Sequence, residues 1–180
     1  MADFDSFATQ LLEEAKRFLE KGQETSDPAA EVANLHAALM LSFCALEAHV
    51  NAVSDEFSGS NDLSVHERAM LLEKDVRLEN GQFRLQAGLR MSRLEDRIDI
   101  LHAKFSGSPV DRSSLWWSGL QEAMNLRNQL THAKAVPAIK AVAVRSATLS
   151  IIDTLNALYL AIYKKKFPAA GQGLSSQLNF

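Results

Sequence analysis

The feature that most constrains this chain is the spacing of its apolar residues, which recur at steps of three and four through nearly every long segment between its scattered glycines and prolines. That period belongs to helices, and the chain reads as all-α, a bundle of about five to six helices. Phe4, Phe7, Leu11, Ala15 and Phe18 make an amphipathic first helix over about 4–21, ended by Gly22. Asp27 before Pro28 is an N-cap and first-turn pair. It opens a second helix whose stripe runs Val32, Leu35, Leu39, Phe43, Leu46, Val50, Val53 and Phe57. Unbroken, that helix spans roughly 45 Å.

Ser64 and Glu67 form a capping box for a short third helix ending near Lys74, and Ser92 with Glu95 forms another for a fourth. Between them, apolar and polar residues alternate on both sides of Asn80-Gly81, the strongest short-range hairpin signal. A two-residue turn sets Leu78 opposite Phe83, Val76 opposite Leu85 and Arg77 opposite Arg84. The two arginines either splay into solvent beside Glu79 or await an anion. A fifth helix starts near Ser113 with a stripe of Trp116, Leu120, Ala123, Leu126, Leu130 and Ala133. Pro137 separates it from a long last helix over about 138–165, apolar on two adjacent faces. Residues 1–168 are expected to form one domain, and 169–180, with little to pack, to be a flexible tail.

At 180 residues and 47% hydrophobic, the chain buries about 70% of its unfolded surface without metal or disulfide staples. Cys44 has no internal partner, and the first residues carry no secretory pattern, which points to the cytoplasm. No uncharged apolar run reaches the roughly 18 residues of a membrane span. A net charge of -3 argues against a broadly basic nucleic-acid coat protein but leaves room for local basic sites. There is no phosphate loop, dinucleotide fingerprint, His-Glu-x-x-His or nucleophile elbow, and the five histidines fall in separate segments, so neither a cofactor nor a metal is expected.

The residues that can carry chemistry lie in Leu126-Arg127-Asn128-Gln129-Leu130-Thr131-His132. An imidazole can exchange a proton with a ribose 2′-hydroxyl or a leaving oxygen while a guanidinium stabilises the phosphoryl charge. Spacing alone does not select this pair, because Arg97 and His102 repeat it. Asn128 and His132 share a polar helix stripe with Asn125 and Gln121, which also reads as an ordinary solvated face, with His132 complementing the helix C-terminus. On the second helix, Glu47 falls in a stripe with His36, Met40, Cys44 and Asn51. It reads as a semi-buried carboxylate that either fixes helix register or serves a site.

A long second helix bearing Ala45-Leu46-Glu47-Ala48-His49, a variable middle, and Arg127-Asn128-x3-His132 before a long final helix together resemble the HEPN superfamily over about residues 4–165. The resemblance implies a homodimer in which two copies of the motif face one another, and a metal-independent RNA endonuclease of toxin or defence type. Arg127 would hold the scissile phosphate, Asn128 would position Arg127 or the substrate, His132 would be general acid or base, and Glu47 would orient the basic pair. The family pattern needs a polar residue after the arginine, which Asn128 supplies and Ile98 does not; Arg97 and His102 are set aside on that ground. Some members are not catalytic, so the alternative is a helical module that binds nucleotide, RNA or a protein such as an antitoxin or nucleotidyltransferase. A third reading is a helical scaffold with Trp116 or Trp117 at an interface, since adjacent helix positions point about 100° apart.

Overall fold

The computed structural model describes residues 2–180, with side chains from residue 6 onward. The described residues form α1 (Ala2–Glu24), α2 (Pro28–Glu56), α3 (Val65–Leu71), β1 (Lys74–Glu79), β2 (Gln82–Leu89), α4 (Leu94–Ser106), α5 (Leu115–Thr131) and α6 (Ala141–Tyr163). The fold is mainly helical with one small antiparallel hairpin.

α1 continues through Gly22 instead of stopping there. A Cβ at Gly22 would sit 3.1 Å from Leu35 of α2, so the glycine serves close helix approach. The buried face of α1 is Ala8, Leu12, Ala15 and Leu19, rotated from the expected stripe: Phe7 is exposed and Leu11 and Phe18 are half-buried. Phe4, also expected on that stripe, lies outside the described side chains. Asp27 caps α2 as expected by accepting from the Ala29 amide at 3.0 Å.

α2 and α6 are the central pair, and both also contact α1 and α4. Leu35, Leu39, Phe43, Leu46, Val50 and Val53 are buried along α2, while Val32 at its start is exposed. Ser42 Oγ of α2 lies 3.0 Å from Thr148 Oγ1 of α6, and each hydroxyl also reaches a carbonyl of its own helix, so the buried polar pair is satisfied. Contrary to the sequence expectation, α2 is long and apolar enough to cross a membrane by length and composition. Here its apolar face is packed against other helices of the bundle.

The hairpin has the predicted pairs, Val76 with Leu85, Arg77 with Arg84 and Leu78 with Phe83, and extends further, to Lys74 with Leu89. Asn80 (φ +51°) and Gly81 (φ +77°) are both left-handed, which this two-residue turn requires. Arg77 and Arg84 are exposed, and Arg77 leans toward Asp75 at 3.9 Å rather than toward Glu79, which accepts from Gln86. The Ser64–Glu67 capping box is present. The one expected at Ser92 and Glu95 is not: α4 begins after Arg93, whose guanidinium takes Glu95, while the Ser92 amide donates to Glu73.

The tail also departs from expectation. Leu174 is buried, the amides of Ser176 and Gln177 donate to Glu20 and Glu13 of α1, and Phe180 meets Phe18 edge to face at 5.7 Å. Residues 169–180 therefore have a surface to pack on, because α1 presents carboxylates to the tail's backbone amides and a half-buried ring to its last residue.

Candidate functional site

A cleft of about 380 Å³ opens where α2, α4 and α5 meet the base of the hairpin. α2 contributes Glu47 and Asn51, α4 contributes Arg97, and α5 contributes Arg127 and Asn128. Three of the four residues singled out from the sequence thus share one wall-to-wall space, although they stand eighty positions apart. Glu47 is exposed rather than semi-buried. The helix turns its Ala45, Leu46 and Ala48 neighbours inward, which leaves the carboxylate at the cleft mouth.

Arg127 is half-buried, with its guanidinium 5.1 Å over the Phe43 ring and its Nε enclosed without a hydrogen-bond partner. A guanidinium backed by an aromatic face and left with unspent donors is suited to an oxyanion. Asn128 is exposed beside it. His132 does not line the cleft. It is the C-cap of α5, exposed, one helical turn beyond Asn128, whose carbonyl accepts the His132 amide at 3.0 Å.

Arg97, set aside in the sequence reading, is the most constrained group of the cleft. It is only 4% exposed, donates to Asn51 Oδ1 at 2.5 Å and lies 3.7 Å from Glu73. Burial lowers its pKa, opposed by the charges of Glu73 and then Glu47. Glu73 is the second residue that the sequence reading missed. It adopts a left-handed backbone (φ +53°), uncommon for a residue with a side chain. There its carbonyl accepts the Arg90 amide at 2.8 Å and its carboxylate takes both Arg97 and the Ser92 amide. One glutamate thereby closes the hairpin base and fixes the arginine of α4. No signal in the sequence marks a glutamate for this conformation. For Arg97 a signal existed, since it lies on the Leu94–Ile98–Leu101 side of an amphipathic helix, where a charge needs a partner.

His102 goes elsewhere. It sits in a separate hollow of about 660 Å³ with its ring 5.6 Å from Trp116, and burial lowers its pKa, opposed by nearby Asp99. Trp117 is buried in the core with Arg112 stacked 4.1 Å over it, whereas Trp116 is half-buried, so the two adjacent tryptophans do separate as expected. Among the described residues no three His, Cys, Asp or Glu side chains gather in a way that would hold a metal ion.

The cleft therefore offers a half-buried guanidinium without an acidic partner, a second guanidinium whose terminal nitrogens are held by acid and amide partners although its Nε is also unpartnered, and an exposed carboxylate, with an imidazole nearby at the end of α5. Comparison with protein families, with curated proteins and with solved structures finds no match for this chain.

Proposed function

We propose that this chain is a HEPN-like, metal-independent endoribonuclease that works as a homodimer on single-stranded or loop RNA. The observation that carries this reading is the meeting of Glu47, Arg127 and Asn128 in one cleft, with Arg127 Nε unpartnered. Arg127 takes a non-bridging phosphate oxygen and Asn128 orients it. His132, one turn further along, exchanges the proton of the reaction. The ribose 2′-oxygen gives up its proton and bonds to phosphorus; the bond from phosphorus to the 5′-oxygen breaks, and that oxygen leaves protonated. The products are a 2′,3′-cyclic phosphate and a 5′-hydroxyl. The nucleophile belongs to the substrate, so the residues need only position the phosphate, stabilise its charge and move a proton.

The test is cleavage of labelled tRNA and of unstructured RNA in excess EDTA by the wild type, Arg127→Ala and His132→Ala, each shown to be folded and dimeric. Cutting by the wild type, lost by about 10²-fold or more in both variants and leaving cyclic phosphate ends, is the expected result. One observation favours the alternative of a non-catalytic module for nucleotide, RNA or a protein such as an antitoxin or nucleotidyltransferase: His132 stands outside the cleft lining. Intact substrates, or variants that cut as well as the wild type, would put that alternative first.

A further inference from the structure

We propose that residues 132–145, comprising the α5–α6 connection and the start of α6, form a cationic ridge at the His132 end of α5 that binds the phosphate backbone of single-stranded RNA. The choice of polymer rests on the ribonuclease reading; the ridge itself rests on charge and placement. Between Glu122 and Asp153 the chain has no acidic residue, although it carries -3 overall. That stretch holds Arg127, His132, Lys134, Lys140 and Arg145.

Lys134, Lys140 and Arg145 are all exposed, and none has an ion pair among the described residues. Elsewhere Lys16, Arg17, Arg77, Arg90, Arg93, Arg97, Lys104 and Arg112 each meet a carboxylate within 4 Å, and Lys74 and Arg84 lie on a hairpin that also carries Asp75 and Glu79. The cleft itself is balanced, with Arg93, Arg97 and Arg127 against Glu47, Glu73 and Glu95, and so exerts little net pull on a polyanion. An RNA strand held at Arg127 needs its attraction from a neighbouring surface, and the ridge is the continuation of α5 immediately past His132. α5 and α6 run closely side by side: a Cβ at Gly119 would meet Ser150 Oγ at 2.6 Å, and Gln129 and Ala143 line the same hollow between the two helices, so the start of α6 returns alongside the end of α5. Lys140 and Arg145 therefore lie on the same end of the molecule as His132.

Lys165 and Lys166 provide an internal control. They too are exposed and without an ion pair among the described residues, but they follow the far end of α6, about 34 Å from its start.

The experiment is a fluorescence-anisotropy titration of the full chain with a labelled 2′-O-methyl oligoribonucleotide, which cannot be cut through its 2′-oxygen, over a range of salt concentrations in EDTA. The wild type is compared with Lys134→Gln/Lys140→Gln/Arg145→Gln and with Lys165→Gln/Lys166→Gln; circular dichroism verifies that each is folded. The expected result is binding by the wild type and a log–log salt slope shallower by about 2 in the triple variant, from three phosphate contacts at about 0.7 each. The double variant should match the wild type. The ridge is overturned if the wild type does not bind, if the triple variant keeps the slope, if the double variant loses as much, or if polyglutamate competes as well as RNA, the last marking an acidic protein partner instead. Cleavage of unmodified RNA is read separately. A protein that binds through the ridge but does not cut sinks the ribonuclease reading alone, and one that cuts with an unchanged slope in the triple variant sinks the ridge alone.

Discussion

Arg97–His102 on α4 and Arg127–His132 on α5 have the same spacing and opposite environments. Both arginines reach the same cleft and both have an enclosed Nε without a hydrogen-bond partner, but the terminal nitrogens of buried Arg97 are engaged by Asn51 and Glu73, whereas half-buried Arg127 lies over the Phe43 ring with no carboxylate within 4 Å among the described residues. The histidines diverge further. His102 turns into a hollow against Trp116, and His132 ends its helix in the open. One residue of a pair that looks catalytic by spacing can thus be a structural member of the other pair's site, and what separates the roles is whether the terminal guanidinium nitrogens already have an acid and an amide to hold them.

The largest expected effect that tests this contrast is on stability. Arg97→Ala removes the partner of a partly buried carboxylate and of Asn51, and should cost about 3 kcal/mol in urea unfolding, while Arg127→Ala should cost under about 1 kcal/mol. Equal losses would break the distinction between a committed and an available guanidinium. Asn51→Ala, which strips one neutral partner from Arg97, should cost about 1 to 2 kcal/mol by the same measurement. If Asn51→Ala is silent, Glu73 alone holds the arginine.

The environment of His102 is tested by pH. Burial depresses the His102 pKa, so below about 6.5 the unfolded chain takes up a proton there that the folded chain resists. The stabilising contribution is therefore complete above that pH and is lost as pH falls toward the depressed value. Thermal melts of His102→Gln should show a weaker acid-side decline than the wild type. The smallest effect belongs to Glu47. As an exposed carboxylate at the cleft mouth it should change stability by less than about 0.5 kcal/mol in Glu47→Gln, yet lower RNA cleavage, measured in EDTA as above. A larger loss of stability would mean that Glu47 is a structural partner of Arg97.

The legible parts of this molecule are local. The Asp27 cap, the Ser64–Glu67 box, the type of turn at Asn80-Gly81 and the register it imposes involve residues within a few positions of one another. Their physics is complete within a short peptide. Of the candidate site, the sequence pointed to Arg127, Asn128 and Glu47, and the fold brings these together. It did not show Glu47 as exposed, because a helix as apolar as α2 leaves its solvent face ambiguous by a residue or two. Glu73 was invisible for another reason. A left-handed glutamate is disfavoured locally and is held here by Arg97 and the Ser92 and Arg90 amides, all distant from it in the sequence.

The same division covers the ends of the chain. The tail contains few apolar residues, and its docking depends on Glu13 and Glu20 of α1 accepting its amides, a match between segments at opposite ends of the chain. By itself, then, the sequence determined six helices, one hairpin and its register, since helical period, caps and turn residues act over a few bonds. Only the tertiary structure decided which of two like-spaced arginines is committed and which available, which face of α2 meets solvent, and where the tail lies. Those outcomes depend on contacts between distant segments, and burial, the main force behind them, has no direction until the helices are placed.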